Sequence, residues 1–180
     1  MPQKQIKIIF TGSVGAGKSL AISQLSEIPV VSTDTKYTEG KTGTDKKTTT
    51  IAMDYGQISL SATEKLHLYG TPGQRRFDFM SEVLCIGGLA LVIMIDNSIE
   101  DPFTDLNYYL KLNERFLKKN PVVIAITHTD LSILPSLNDY QQFLAKINLD
   151  FLVMEMDTRQ RDQVVDVLEA VVNCLESQFI

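Results

Sequence analysis

The segment Gly12–Ser19 reads G-x-x-x-x-G-K-S, and it directly follows a short apolar run, Ile6–Phe10. A stretch with helical periodicity begins near Lys18. When a strand enters a glycine-rich loop that opens a helix, consecutive backbone N–H groups can turn inward and surround phosphate oxygens. The motif and its context therefore predict an α/β fold that begins with a phosphate-binding loop.

Apolar runs alternate with helix-period stretches along the rest of the chain. Strands are predicted at Ile6–Phe10, Leu89–Ile95, Val122–Ile126 and Phe151–Met156. Helices are predicted at Lys18–Leu25, Arg75–Ile86, Phe103–Lys118, Leu137–Ile147 and Gln163–Ser177. Alternation of this kind indicates a mostly parallel sheet with helices on both faces, joined by right-handed crossovers.

Two more strand-like segments, Thr50–Leu60 and Lys65–Tyr69, flank the turn Ser61–Glu64 and predict a hairpin. The hairpin adds one antiparallel strand, so we expect a six-stranded, mostly parallel sheet in the three-layer sandwich of P-loop NTPases. The preceding segment, Ser32–Thr50, is polar and has only Tyr37 as an apolar-bodied residue, which predicts a mobile loop. That loop is either a plain surface connection or a functional segment beside the site.

The size and charge of the chain limit its class. Its 180 residues predict a single domain over residues 1–180, and its net charge of −5 argues against nucleic-acid binding. The longest aliphatic run, Leu89–Ile95, is far shorter than the ~20 residues that a membrane-spanning helix needs, and lipidation motifs are absent. Two cysteines give no support to a disulfide framework. We expect a cytoplasmic protein with no direct membrane anchor.

The loop residues have separate predicted roles. Lys18 is placed to reach the β- and γ-phosphates of a nucleoside triphosphate, and the Ser19 hydroxyl is placed to ligate Mg²⁺. The remaining contacts are expected from backbone N–H groups and from the start of the helix. The predicted nucleotide-binding residues of this segment are Gly12, Ser13, Val14, Gly15, Ala16, Gly17, Lys18, Ser19 and Leu20.

Further motifs resemble those of the Ras-like small GTPases over nearly the whole chain. They are Thr48–Thr50, Thr71-Pro72-Gly73-Gln74 and Thr127-His128-Thr129-Asp130. The run from Tyr69 to Met80, YGTPGQRRFDFM, is most similar to the bacterial small GTPases of the conservon and gliding-motility (MglA) type. This resemblance implies binding of GTP or GDP with Mg²⁺, slow GTP hydrolysis, and a roadblock- or longin-like regulatory partner.

The resemblance also implies roles for residues in two switch segments. Thr50 would close on Mg²⁺ and the γ-phosphate, with Ser19 as the other metal ligand, although three adjacent threonines are also typical of a strand edge. Gly73 would meet the γ-phosphate through its N–H, and Gln74 would orient the attacking water, so that Lys18, Gly73 and Gln74 form the catalytic set. Arg75 and Arg76 either supply charge to the transition state or simply solvate the helix surface.

The resemblance implies that residues in the loops after two later strands recognise the base. The Asp130 carboxylate would accept the N1–H and N2 amine of guanine, a pair that adenine does not make. Thr127 and His128 replace the Asn and Lys of the family pattern, and the His128 imidazole would stack on the base. Thr158 would donate a backbone N–H to the guanine carbonyl. The alternatives are a helix cap for Asp130 and a solvent-exposed strand end for His128.

At two positions the chain departs from the family pattern, and both positions belong to the expected magnesium and catalytic site. Gly70 stands where most of those GTPases carry the Asp that holds Mg²⁺ through water, and Val14 stands where many have a glycine. Asp34 or Asp54 would be a substitute, but alternation along the strand predicts that Asp54 points away from the site. We therefore expect Mg²⁺ to be held by Ser19, Thr50, phosphates and water.

Three functions are compatible with these motifs. The first is a GTP-hydrolysing switch that signals through two loops. The second is a nucleotide-binding scaffold with little or no hydrolysis. The third, a P-loop kinase for a metabolite, is disfavoured because the five arginines, Arg75, Arg76, Arg115, Arg159 and Arg161, form no clustered lid segment.

Overall fold

The computed structural model describes residues 5–38 and 48–177 of the chain, with side chains over residues 6–32 and 53–177. The strands are β1 (Gln5–Gly12), β2 (Val31–Thr38), β3 (Thr48–Ser59), β4 (Lys65–Gly70), β5 (Ala90–Asp96), β6 (Val122–Thr127) and β7 (Leu152–Glu155). The helices are α1 (Lys18–Leu25), α2 (Phe79–Cys85), α3 (Pro102–Leu112), α4 (Glu114–Leu117), α5 (Leu137–Lys146) and α6 (Arg161–Ser177), and a 3₁₀ turn at Arg75–Phe77 precedes α2. Within these ranges no helix combines the length and apolar character that spanning a bilayer requires.

The seven strands of the described residues form one sheet with the order β2-β3-β4-β1-β5-β6-β7. β3 is antiparallel to both of its neighbours, and every other pair is parallel. The predicted α/β class, with one antiparallel strand in a mostly parallel sheet, is therefore confirmed. Because the parallel strands end at the same edge, the loops that follow β1, β4, β5, β6 and β7 meet there.

The number of strands differs from the prediction. β2 occupies part of the segment Ser32–Thr50, whose polar composition predicts a mobile loop, and it pairs with β3 from Val31 opposite Tyr55 to Thr38 opposite Thr48. The polar composition was misleading because an edge strand obtains its hydrogen bonds from the neighbouring backbone and needs little buried apolar surface. The remainder of that predicted loop, residues 39–47, lies outside the described residues.

Alternating side chains of the central strands fill two cores. Ile8 and Phe10 of β1 face α1 and α6, whereas Ile9 faces α3 and α5. All three are at most 1% exposed, and burying each such side chain contributes about 1.5–3 kcal/mol. This two-sided burial explains why the central strands have uninterrupted apolar sequences, and it fixes the sheet edge at which polar loops gather.

Two predicted helices are interrupted in the structure. The predicted helix Arg75–Ile86 consists of the 3₁₀ turn followed by α2, and the predicted helix Phe103–Lys118 divides into α3 and α4 at Asn113. The Asn113 side chain donates from Nδ2 to the carbonyl of Tyr109 (2.8 Å) and accepts from the Ser81 hydroxyl (2.9 Å). These hydrogen bonds join the end of α3 to α2, the helix that follows Gly73 and Gln74.

Candidate nucleotide site

The loop between β1 and α1 has the backbone conformation that its glycines allow. Gly15 and Gly17 have φ values of 89° and 93°, a region that residues with a Cβ rarely adopt. Gly17 also packs against the β7–α6 loop, because a Cβ at this position would lie 2.8 Å from Cγ2 of Thr158. Thr158, predicted to contact the base through its backbone, is 7% exposed and lies against the phosphate loop.

Lys18 lies folded within this loop. Its Nζ donates hydrogen bonds to the carbonyl oxygens of Gly12 and Ser13, each at 2.6 Å. Burial lowers the pKa of Lys18 to about 8, although the nearby carboxylates of Asp54 and Asp105 act in the opposite direction. The ammonium group therefore lies near the expected positions of phosphate oxygens bound by the N–H groups of the loop. Water has little access to it there.

The segment after β4 packs directly on the loop. A Cβ at Gly73 would lie 2.5 Å from the backbone nitrogen of Val14 and 2.9 Å from Nζ of Lys18, so only glycine allows this approach. Together, the loop and this segment line a cavity of about 470 Å³. Its lining residues are Val14, Gly15, Gly17, Lys18, Ser19, Leu20, Ser32, Asp54, Thr71, Pro72, Gly73, Gln74 and Phe77.

Gln74 lines this cavity, but its amide is engaged with a neighbour. Its Oε1 accepts a hydrogen bond from Nε of Arg76 at 2.8 Å. The Arg76 guanidinium lies 4.8 Å from the ring centre of Phe77, and that of Arg75 lies 4.2 Å from the ring centre of Tyr108. Gln74 is therefore oriented toward Arg76, and both guanidinium groups stack on aromatic rings.

The expected orientation of Asp54 is wrong. The Ser19 hydroxyl donates to Oδ2 of Asp54 at 2.5 Å, and the Asp54 side chain lines the cavity. The phase of β3 was misjudged, because Asp54 shares the face that packs on α1 with Gly56, where a Cβ would lie 2.7 Å from Cγ2 of Ile22. The side chains of Thr50 and Asp34, the other metal-side candidates, lie outside the described residues.

The base-side candidates after β6 make contacts among themselves and with β5. Thr127 is buried and donates from Oγ1 to the carbonyl of Ile95 at 3.2 Å. His128 has a positive φ of 58°, and its Nδ1 lies 3.2 Å from Oδ1 of Asp96. Thr127 thus ties β6 to β5, and His128 contacts a carboxylate as well as solvent.

Asp130 is paired with Arg159, whose place at this site is not predicted from the sequence. Nη2 of Arg159 donates to Oδ2 of Asp130 at 2.8 Å and to Oδ2 of Asp157 at 2.7 Å, while its Nε donates to Oδ1 of Asp157. The bidentate contact lowers the pKa of Asp157 to about 2. A cavity of about 350 Å³ lies beside this ion-pair network, and His128, Asp130 and Asp157 are among its lining residues.

Asp105 of α3 is a second residue that sequence reasoning missed. Asp105 is 7% exposed, and burial raises the pKa of its carboxyl, although Ser13, Arg75 and Lys18 act in the opposite direction. Among the described residues, neither its Oδ2 nor the nearby Oγ of Ser13 has a hydrogen bond of normal geometry. Nothing in the sequence marks this position, because a polar residue at the start of a helix usually faces solvent.

The donor set beside the loop fits a magnesium ion. Mg²⁺ takes oxygen ligands, usually one or two protein groups together with substrate phosphates and water. Here, the Ser19 hydroxyl and one buried carboxylate adjoin the phosphate cavity. In the part of the chain that the structure describes, no three His, Cys, Asp or Glu side chains come together as a metal cage. The site therefore suits a metal that arrives with a nucleotide.

Comparison with known proteins identifies a family and a relative. A family described as "Conserved hypothetical ATP binding protein" matches residues 30–178. An uncharacterized protein of Methanocaldococcus jannaschii is 31% identical over 132 residues, which cover 73% of this chain and 75% of that protein. The family match begins after the phosphate loop, so the loop motif and the match support nucleotide binding independently.

These matches overturn the resemblance to Ras-like GTPases, because the family found over most of the chain is a different one. The motifs behind that resemblance are short, and each supports a local geometry that several nucleotide-binding families can share. The Gly70, Val14, Thr127 and His128 departures already separated this chain from the Ras-like pattern. The family description names ATP and does not name GTP, magnesium or hydrolysis.

Proposed function

Because this chain belongs to the family of conserved hypothetical ATP-binding proteins, we propose that it binds a nucleoside triphosphate at the Gly12–Ser19 loop and hydrolyses it slowly or not at all. The observation that carries the proposal is the packing of Gly73 on this loop beside Lys18. Backbone N–H groups, an ammonium group and the start of α1 thereby adjoin one cavity. This combination is suited to polyphosphate binding.

Binding of the phosphates would rearrange Lys18. Its Nζ, which now donates to two loop carbonyls, would exchange them for phosphate oxygens that carry full negative charge. A magnesium ion beside Ser19 would neutralise part of the phosphate charge. The Ser19 hydroxyl and the buried Asp54 carboxylate, which are already hydrogen-bonded to each other there, keep that end of the cavity polar.

The contacts of Gln74 support the proposal of slow turnover. In-line attack on a γ-phosphate requires a water molecule that is held in position. The Gln74 amide instead accepts a hydrogen bond from Arg76, and the Arg76 guanidinium is stacked on Phe77. The contact with Arg76 occupies one lone pair of Gln74 Oε1 and holds the amide away from a water-positioning role, which supports nucleotide binding without rapid hydrolysis.

ATP is the proposed nucleotide because the family description names it and because Asp130 is charge-compensated. With Arg159 bound to its Oδ2, the Asp130 carboxylate is a weaker acceptor for guanine and a weaker source of repulsion for adenine. GTP is the second candidate, since the other oxygen of Asp130 remains available to accept a guanine N–H. The GTP switch and its roadblock- or longin-like partner came from the overturned resemblance and form no part of this proposal.

Calorimetric titration with ATP, GTP and their diphosphates in Mg²⁺ buffer tests the proposal. We expect the wild-type protein to bind ATP, and a Lys18→Ala variant to lose at least tenfold in affinity. The exposed Lys118→Ala variant is the matched control, because Lys118 forms a surface ion pair with Glu114. Failure of the wild type to bind any of these nucleotides would refute the proposal, and a tenfold preference for GTP would establish the second candidate.

Turnover is measured on the same protein under single-turnover conditions. The slow-hydrolysis proposal predicts that ATP remains largely intact over many minutes, and that a Gln74→Leu substitution leaves its cleavage rate unchanged. Rapid cleavage by the wild type that is lost in the Gln74→Leu variant would show that Gln74 positions the attacking water, and would contradict this part of the proposal.

A further inference from the structure

Asp54 is a buried carboxylate on the only strand that runs against the rest of the described sheet. It is 8% exposed and lies in β3 directly opposite Gly70 of β4. Its face of the sheet is the one that packs on α1, so the carboxylate is aimed at the first turn of that helix. A charged group at this depth requires partners, because an unpaired buried carboxylate is costly.

Two serine hydroxyls from different elements bind the two Asp54 oxygens. The Ser19 hydroxyl donates to Oδ2 at 2.5 Å, and the Ser32 hydroxyl donates to Oδ1 at 2.7 Å. A serine hydroxyl has one hydrogen and two lone pairs. The single hydrogen of the Ser19 hydroxyl is engaged in the hydrogen bond to Asp54. The lone pairs of Oγ therefore remain for other contacts, and it is through a lone pair that a hydroxyl ligates a cation.

Gly70 makes this arrangement possible. A Cβ at position 70 would lie 3.2 Å from Cβ of Asp54, 3.3 Å from its Oδ2 and 3.0 Å from Cδ1 of Ile22. These distances are tighter than most real Cβ contacts, so a side chain at position 70 would compete with the Asp54 carboxylate for the same space. The absence of a carboxylate at Gly70 and its presence at Asp54 are therefore two consequences of one packing arrangement.

We propose that Asp54 is the carboxylate that holds the divalent cation of the bound nucleotide. It would act from beside the Ser19 hydroxyl, and also through it, by accepting the hydrogen bond that orients the Ser19 lone pairs toward the cation. Ser32 fixes the second carboxylate oxygen of Asp54. In P-loop NTPases such as Ras, an aspartate helps the loop Ser or Thr to hold Mg²⁺; in this chain the proposed carboxylate lies on the antiparallel strand β3. The proposal rests on the proposed function, because the cation is expected to arrive with the nucleotide phosphates.

The test measures the affinity for Mn²⁺, a paramagnetic substitute for Mg²⁺, by electron paramagnetic resonance in the presence of saturating nucleotide. For Asp54→Asn we expect a loss of roughly 10–100-fold in Mn²⁺ affinity, the range found when the partners of metal ligands are removed. The matched control is Asp150→Asn, an exposed carboxylate before β7 that should leave Mn²⁺ affinity unchanged. Ser32→Ala keeps both Asp54 and Ser19 and should cause a smaller loss of a few-fold.

Nucleotide affinity in EDTA separates a metal role from a structural one. Without a divalent cation, Asp54→Asn should bind the nucleotide as tightly as wild type or more tightly, because a negative charge near the phosphates has been removed. If the substitution damaged the loop, affinity would fall equally in EDTA and in Mg²⁺, and the metal assignment would be overturned. Wild-type Mn²⁺ affinity in the Asp54→Asn variant would also overturn it.

The two proposals fail in different ways. If the wild type binds no nucleotide under any condition, the proposed function fails together with the cation site. If the wild type binds the nucleotide in a Mg²⁺-dependent manner and Asp54→Asn retains the same dependence, nucleotide binding stands and the assignment of Asp54 alone is rejected.

Discussion

The burial of Lys18 predicts that nucleotide affinity depends on pH in an alkaline range where the phosphates themselves no longer titrate. Desolvation lowers the pKa of Lys18 to about 8 in the free protein. Bound phosphates would raise this pKa again, because negative charges favour the ammonium form. A terminal phosphate, whose last pKa is about 6, is fully ionised above pH 8. Lys18 is therefore the group whose protonation should be coupled to binding above pH 8.

The size of the effect follows from the fraction of protein that has a charged Lys18. At pH 7 most molecules carry the charge, at pH 8 about half do, and at pH 9 about one in eleven does. Affinity should therefore fall about twofold by pH 8 and about tenfold by pH 9 relative to its value at low pH. The sign is fixed, because binding requires the protonated form and must take up a proton wherever the free lysine has lost it.

Isothermal titration calorimetry tests this at pH 7, 8 and 9 in pairs of buffers with different ionisation enthalpies. Proton uptake should rise from near zero at pH 7 toward about one per nucleotide at pH 9. A Lys18→Arg variant is the matched control, because a guanidinium stays charged throughout this range and should give a flat profile even if it binds more weakly. A flat wild-type profile without proton uptake would refute the reasoning, as would the same decline in the Lys18→Arg variant.

Three other substitutions have defined outcomes. Arg159→Ala should leave the free energy of unfolding nearly unchanged, because its ion pairs are exposed, while titration should show a several-fold increase in the GTP-to-ATP affinity ratio as Asp130 is released. Tyr140→Phe removes the buried hydrogen bond from the tyrosine hydroxyl to Oδ1 of Asn97 (2.7 Å), so denaturant unfolding should report a loss of about 1–3 kcal/mol. Gly73→Ala forces a Cβ against the phosphate loop and should weaken nucleotide binding about tenfold by titration, consistent with the ~1–3 kcal/mol cost of overpacking.

The core strands and the phosphate loop could be predicted from sequence because their signals are local. Uninterrupted apolar runs mark β5 and β6, and the glycine spacing of Gly12–Ser19 marks the turn into α1. β2 could not be predicted in this way, because its stability comes from pairing with β3 and not from its own polar composition. Edge strands of this kind lack the apolar periodicity on which sequence-based assignment depends.

The Asp54 error has a more specific cause. Alternation along β3 predicts that residues 54, 56 and 58 share a face, but it does not predict which layer that face meets. The packing of α1 determines which layer this face meets. Gly56 and Gly70 leave room for Ile22 of α1 and for the Asp54 carboxylate on the same side of the sheet. A pair of glycines on adjacent strands beside an acidic residue was the signal available in the sequence, and its meaning depends on the register of β3 with β4.

The two ends of the site differ in how firmly the protein holds them, and this difference determines where affinity and selectivity arise. At the phosphate end, Lys18 and Asp54 are more than nine-tenths buried; Lys18 donates to carbonyls of the phosphate loop, and Asp54 accepts from hydroxyls of α1 and β2. At the base end, Asp130 and Arg159 form an ion pair whose side chains are 47% and 60% exposed. Hydrogen bonds to charged groups generally contribute about 1.5–3 kcal/mol each to the free energy of an interaction. Exposed ion pairs contribute much less in general.

Most of the binding free energy should therefore come from the phosphates and their cation, and little from recognition of the base. An energy difference below about 1.4 kcal/mol at the base corresponds to less than tenfold selectivity between two triphosphates. Removing the γ-phosphate should consequently reduce affinity more than replacing ATP by GTP. If calorimetry instead shows that changing the base costs more than removing the γ-phosphate, the ion pair at Asp130 must be reorganised on binding, and base recognition would be stronger than its exposure implies.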